Sequence, residues 1–231
     1  MEAFINDSFL KRRRKLASWS TYVAIGALVL GLIMSTRQLA VSYALLLVGM
    51  LGATVGSQLT AAYVREPRAD SVLAESLSGM DKRFSLYCYY LPSHHVVASH
   101  HGMTVLMPRA QKGEVAYERG KWRHKAGARK LMQLFGEPAL GRPDLDAQQE
   151  AKWVEEWVQK ALPELEVPIS SVIVFTDPDV TLFPGDSPVP AVKVADLPAF
   201  LREGLKELPT LPTASQKELR RTLEAVVQAD A

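Results

Sequence analysis

Apolar and polar positions divide the chain into two unlike stretches. Residues 21–34 read TYVAIGALVLGLIM and residues 39–64 read LAVSYALLLVGMLGATVGSQLTAAYV, and neither run holds an acidic or basic side chain. As a helix rising 1.5 Å per residue, the longer run extends about 39 Å, enough to cross a hydrocarbon core about 30 Å thick with some tilt. The shorter run lies near the lower limit for a span, roughly 14 to 18 residues with its flanks. Only residues 35–38 separate them, so the pattern predicts an antiparallel hairpin in which both helices cross or neither does. The KRRRK run at 11–15 also fits the basic region of a signal peptide. The second apolar run follows at once, in the manner of a stop-transfer segment, and favours the hairpin.

Beyond residue 68 the periodicity changes. Val72, Leu73, Leu77 and Met80 give a short amphipathic helix over 71–80. An aromatic-rich strand is predicted at 84–91, and apolar runs at 95–98 and 103–107 flank Ser-His-His-Gly as a hairpin. A strand at 114–118 turns at Arg119-Gly120. Asp144 is the predicted cap of a helix reaching 162, with a stripe of Ala147, Ala151, Val154, Val158 and Ala161 widened by Trp153 and Trp157. Residues 171–176 (SVIVFT) form a continuous apolar run, expected of a strand covered on both faces. A further strand falls at 189–194, and Asp196 opens a helix to about 207. After a linker at 209–213, Ser215 and Glu218 form a capping box for a last helix carrying Leu219, Leu223 and Val226. The expected organisation is a basic N-terminus (1–18), a two-helix transmembrane hairpin (19–64), an α/β sheet domain (69–207), and a linker with a C-terminal amphipathic helix (208–231).

Charge sharpens this division. The 231 residues are 48% hydrophobic and 23% charged, with a net charge of +2 and a mean hydropathy of -0.00. Those averages exclude a disordered chain, a collagen and a disulfide scaffold. They conceal a polarised distribution: residues 1–68 hold 8 Lys/Arg against 3 Asp/Glu, residues 109–130 hold 8 against 2, and residues 131–231 hold 9 against 17. Basic residues precede the first apolar run and Arg65 and Arg68 follow the second, whereas the turn has only Arg37. The positive-inside rule therefore predicts an inner-membrane, multi-pass protein with both ends cytoplasmic. Trp19, Tyr22 and Tyr63 fall near the expected interfaces. The single cysteine, Cys88, accords with a reducing compartment. Small residues one turn apart, at Ala27/Gly31, Gly49/Ala53 and Gly52/Gly56, allow close helix approach within a hairpin or between copies of it. No acidic or basic group inside either run marks a transport pathway.

The text HHVVASHHGMTVLMPRAQKGEVAYERGKW, with Gly102, Gly113 and Trp122 at matching spacings, resembles the nuclease-related domain (NERD) family over roughly residues 91–205. Arg142-Pro143-Asp144 resembles that family's helix start, and Val172 to Phe175 its buried strand. The resemblance implies a restriction-endonuclease-like α/β (α+β) fold and a Mg²⁺-dependent nuclease site. Such a site needs carboxylate oxygens to hold the metal that generates the nucleophile. At the matching positions this chain has His94 for the metal-binding Asp, Met107 for the Glu and Arg109 for the Lys. A thioether does not hold Mg²⁺. The expectation is a non-catalytic relative with no cofactor and no resident metal. The alternative is a membrane-tethered nuclease whose site has moved to Glu114 or Glu118.

Two further constellations stand out. His94, His95, His100 and His101 would present imidazoles to Zn²⁺ only if the hairpin folded them together, and no cysteine or carboxylate partner lies at ligand spacing. Arg119, Lys121, Trp122, Arg123 and Lys125 are the candidate binding residues. Their basic and aromatic mixture suits an anionic lipid headgroup or a nucleic acid, or else a solvated rim. The functional expectation is a binding or scaffolding module at the cytoplasmic membrane face, with the bilayer, a protein or nucleic acid as partner and self-association through the small-residue helix faces.

Overall fold

The computed structural model describes residues 1–125, 140–204 and 209–229. The chain divides into two compact units, one built mainly from residues 7–68 and one from residues 1–6 together with the chain after residue 68.

In the first unit, α1 (Asp7–Met34) and α2 (Leu39–Tyr63) form an antiparallel helical hairpin. Both are long and apolar enough to cross a membrane. The first helix is twice the length of its apolar run, because the KRRRK segment continues the helix instead of preceding it. Lys and Arg are good helix formers, and nothing between Asp7 and Thr21 breaks the helix. The small residues form the seam of this hairpin: Ala17, Ala24, Ala27 and Gly31 of α1 are buried, as are Ser42, Gly49 and Gly56 of α2. A Cβ on Gly49 would lie 2.6 Å from Leu28 Cγ, and one on Gly56 would lie 2.8 Å from Thr21 Oγ1. Ser42 Oγ donates to the Gly31 carbonyl at 2.6 Å and Ser20 Oγ to the Gly52 carbonyl at 2.8 Å, further hydrogen bonds between the helices. The outward surface is instead large and apolar, with Ile25, Val29, Leu32, Leu47, Met50 and Leu51 all exposed.

The second unit is a mixed α/β domain. Its main sheet runs β1 (Glu2–Ile5), β2 (Ser85–Cys88), β3 (His95–Ser99), β4 (Gly102–Arg109), β7 (Ile169–Phe175), β9 (Ala191–Lys193). The central β2–β3–β4 meander is antiparallel, and the outer pairings β1–β2, β4–β7 and β7–β9 are parallel. A second sheet has the order β6 (Lys121–Lys125), β5 (Gly113–Glu118), β8 (Val180–Phe183). Around these lie α3 (Ala69–Leu77), α4 (Pro143–Ala161), α5 (Leu197–Gly204) and α6 (Thr213–Ala229).

Strand alternation sorts the core. One face of the main sheet carries Tyr87, Val96, Ala98, Met103 and Val105, packed with Val154, Val158 and Leu162 of the α4 region and Leu219 and Leu223 of α6. Farther along, Met107, Ile173 and Phe175 continue that face and join Ala147, Val115 and Trp122 in a second cluster. The alternate set, Leu86, Cys88, Val97, Leu106, Val172 and Val174, is equally buried, as are Leu73 and Leu77 of α3 and Leu197 and Leu201 of α5. Ser76 Oγ of α3 donates to the Val194 carbonyl at 2.7 Å, and α3 and α5 touch. Burial of both faces explains why β7 reads as an unbroken apolar run.

Several elements differ from their sequence expectation. Residues 2–5, expected in a plain basic N-terminus, form the edge strand β1, with Phe4 stacked on Tyr87 at 5.1 Å between ring centroids. The segment 180–183, too short and mixed to read, becomes β8 by pairing with β5. Asp144 is not the cap of α4: Arg142 holds that position, Pro143 begins the helix, and Asp144 is buried in its first turn. Proline at the first helical position gives up only an N–H that lacks an intrahelical partner there. Trp153 and Ala161 face outward, and of the two tryptophans on this helix it is Trp157 that packs on the core. The last helix begins at Thr213, before the proposed capping box, with Gln216 N donating to the Pro212 carbonyl. The preceding linker is tied down, since Leu211 is buried and its N–H donates to the His100 carbonyl at 2.9 Å. The end of the 196–207 helix and residues 126–130 of the basic segment lie outside the described residues.

Candidate functional site

Polar side chains collect where the β2–β3 loop and the end of β4 meet the first turns of α4. The loop 89–94 is tight, closed by Tyr89 N donating to the His94 carbonyl at 2.8 Å. Its first residue, Tyr89, has a φ of 66°, an uncommon conformation for a bulky side chain that surrounding contacts must hold in place. Asn6 Nδ2 donates to the Tyr89 carbonyl, and the Tyr89 ring lies edge-on to His94 and His95 at 5.6 and 5.3 Å. The loop delivers Ser93, fully buried, whose hydroxyl donates to Glu150 of α4 at 2.6 Å. One turn earlier on α4, Asp146 pairs with the Arg109 guanidinium. Burial pulls Arg109 down from its ordinary value, and the charges of Asp146 and Glu150 oppose that effect. Ser93, Arg109, Asp146 and Glu150 thus form one connected polar seam, and both carboxylates on this helix face are engaged.

His95 points to the opposite sheet face, opposite Cys88 in register. Burial, reinforced by the charge of His94, pushes His95 down to about 3, and the fully buried Asp70 of α3 acts in the other direction. Its Nε2 has no hydrogen-bond partner among the described residues. At neutral pH this is a neutral imidazole in the core, neither a cation nor a working base.

The positions expected to mark a nuclease site separate in space and in role. Met107 is buried among Val115, Trp122, Ile173 and Phe175. Arg109, two residues on, shares its sheet face but reaches Asp146. His94 lies against Tyr89 and His95. Glu114 is bound to Lys125 on the small sheet, and Glu118 stands opposite Lys121. The four clustered histidines fall into two pairs at opposite ends of β3, with rings 6.3 Å apart in His94/His95 and 4.0 Å apart in His100/His101. A five-residue strand separates these pairs by roughly 15 Å. Among the described residues, no group of three His, Cys, Asp or Glu side chains is arranged to hold a metal ion.

The basic hairpin is formed as the pattern requires. Arg119 and Gly120 have φ values of 51° and 73°, matching a two-residue turn of the kind that suits tight hairpins. The register then decides its electrostatics. Lys121, Arg123 and Lys125 share one face of β6, opposite Glu118, Ala116 and Glu114 in turn. Lys125 donates to Glu114, which raises it above its ordinary value. Only Arg123 faces a neutral partner, and Arg119 stands at the turn. Trp122 projects to the other face, buried against Tyr117 and Phe175 at 5.4 and 5.8 Å, so it is a core residue and offers no stacking platform. Phe183 of β8 is the exposed aromatic of this sheet, on the same face as Ala116.

Sequence reasoning missed Asp70, Tyr89, Ser93, Asp146 and Glu150. The four-residue spacing of Asp146 and Glu150 on a predicted helix was the available signal. Comparison with known proteins finds no matching family model, no matching curated relative and no matching solved structure.

Proposed function

We propose that this chain is a membrane-anchored module whose α/β domain binds a partner at the cytoplasmic face and does not cleave nucleic acid. The observation that carries this reading is strand β1. The chain is already part of the main sheet at residues 2–5, departs through α1 and α2, and rejoins the same compact unit at α3. Both ends of the apolar hairpin are thereby committed to one domain, as a two-pass anchor with its domain on a single side requires. Removal of the hairpin as a signal peptide would take β1 away with it. The basic residues concentrate at the domain end of the hairpin, which supports a cytoplasmic domain. There Arg14 Nε donates to the Tyr63 carbonyl and Arg13 lies 5.0 Å over the Phe9 ring.

A degenerate NERD-like, restriction-endonuclease-like domain is the ancestry we infer, supported by the α/β sheet and the motif spacing. Against catalysis stand a thioether at Met107 and carboxylates at Asp146 and Glu150 already engaged by Arg109 and Ser93. The test has two arms. In membrane vesicles of known orientation, the full chain should resist carbonate extraction, and a C-terminal tag should be digested only where the cytoplasmic face is outward. Protection of the tag there would refute the orientation. In detergent, the full chain should leave DNA and RNA intact with Mg²⁺ or Mn²⁺. Cleavage that disappears in Glu114→Gln or Glu118→Gln would establish the alternative, a metal-dependent nuclease with a displaced site, and cleavage that disappears in Asp146→Asn or Glu150→Gln would place that site on α4 instead.

A further inference from the structure

The α6 side of the main sheet carries a cavity of about 300 Å³ that neither the anchor nor the polar seam uses. It opens between α6 and the β3–β4 turn, lined by Lys82, Arg83, Tyr87, His100, Arg220 and Leu223 among others. Its volume is at the small end of the range for small-molecule sites. The chemistry of the lining is divided. The floor is apolar, made by Tyr87, Ala98, Leu219 and Leu223, all buried. The lip holds three cations and no carboxylate.

The acidic groups that balance those cations lie outside the cavity. Asp81 pairs with Arg83 at 2.7 Å, and Glu224 and Glu2 pair with Arg220 at 2.8 and 3.8 Å. All are exposed pairs, which hold the arginines near the lip at little energetic consequence and exchange readily for a better anion. Two neutral polar groups also line the cavity. Tyr87 is pushed up to about 12 by burial and keeps its O–H proton throughout the physiological range. His100 Nδ1 is buried with no hydrogen-bond partner among the described residues. Two guanidinium forks, an ammonium, a phenol and an imidazole exceed what the two oxygens of a carboxylate can use. They suit the three terminal oxygens and greater charge of a phosphate. The floor below them suits an apolar body.

We propose that this cavity binds a phosphate monoester with a small apolar body, the phosphate at the Lys82/Arg83/Arg220 lip and the body against Tyr87 and Leu223. A soluble phosphate monoester and the headgroup of phosphatidic acid offer the same chemistry, three terminal oxygens and up to two negative charges. The experiment titrates the full chain, in maltoside micelles that contain no phosphate, with phenyl phosphate by calorimetry. Saturable binding of one equivalent is expected, with benzyl alcohol at least tenfold weaker. The Lys82→Gln/Arg220→Gln variant, which alters only exposed side chains, should weaken phenyl phosphate at least tenfold at an unchanged unfolding midpoint. Tyr87→Phe should weaken it less. Phosphatidic acid added to the micelles identifies the source: competition assigns a lipid headgroup and absence of competition a soluble ester, each sustaining the site. No saturable binding, equal binding of benzyl alcohol, or indifference to the double variant overturns the proposal.

Discussion

Gly49 offers the sharpest test of how the hairpin is held together. A Cβ there would sit 2.6 Å from Leu28 Cγ, 2.7 Å from Leu28 Cδ2 and 3.2 Å from the Ala24 carbonyl oxygen. Cγ is the branch point of Leu28, so relief needs a new rotamer for the whole side chain or a separation of the helices. Gly26 supplies the control, since a Cβ there meets nothing within 4 Å. Both glycines are in helix interiors, so alanine brings each the same intrinsic gain of about 1 kcal/mol. The difference between Gly49→Ala and Gly26→Ala therefore isolates overpacking, about 1–3 kcal/mol for one inserted methyl group. Energy transfer between dyes on Ser18→Cys and Ser57→Cys, in a Cys88→Ala background, reports opening of the hairpin as SDS is titrated into mild detergent. Gly26→Ala should hold or raise the midpoint and Gly49→Ala should lower it. Equal midpoints, or a higher one for Gly49→Ala, would refute the close-packed seam.

Four further outcomes are expected. His95 has a folded value near 3 against about 6.5 unfolded, so the unfolded state takes up the proton first. The stability it supports is complete above pH 6.5 and drains as pH falls toward 3, a loss on the order of 2 kcal/mol at pH 5. His95→Phe should flatten the acid limb of the stability profile, and an unchanged slope would sink the argument. Gly102 has a φ of 138°, and its Cβ would lie 2.3 Å from the Pro168 carbonyl oxygen, so Gly102→Ala should cost several kcal/mol by denaturant titration. Arg109→Met should lower stability by about 1–3 kcal/mol by leaving the seam carboxylates without their cation; equal stability would show the pair to be idle. With the full chain reconstituted in anionic nanodiscs, Arg119→Gln/Arg123→Gln should lower the hydrogen-exchange protection of the 113–125 hairpin more than Lys121→Gln/Lys125→Gln, because each lysine stands opposite a glutamate. The reverse order would contradict the register argument.

The long apolar runs, the 95–107 hairpin and the buried strand, read at 171–176 and observed at Ile169–Phe175, were legible because burial writes itself as periodicity. β1 was not, because EAFI is four residues long and its partner is about 80 positions away. The outward placement of Trp153 was hidden by a stripe that tolerates its insertion on either flank. The site was less legible than the fold. Tyr89 gives no sign in the sequence of its left-handed backbone, and Ser93–Glu150 joins residues 57 apart. Arg109 was singled out by a motif position, yet its partner Asp146 sits on another element. Trp122 looked like part of a basic aromatic surface until strand parity turned it inward. Residue type marks a candidate, and register decides which way it faces.

Strand β1 also carries a consequence for biogenesis. It is made long before β2, and a parallel pair cannot close until the intervening hairpin and α3 have been synthesised. If only one of α1 and α2 crosses the bilayer, β1 and β2 are left in different compartments, and Phe4 and Tyr87 never meet. If both cross, the two strands emerge on the same side and the edge of the sheet can be completed. For a hairpin that enters the bilayer, pairing of residues 2–5 with 85–88 would act as a checkpoint on insertion, since a hairpin threaded only once leaves the sheet without its edge strand. A chain inserted wrongly reveals itself as an unfinished sheet, open to proteolysis at an unpaired edge.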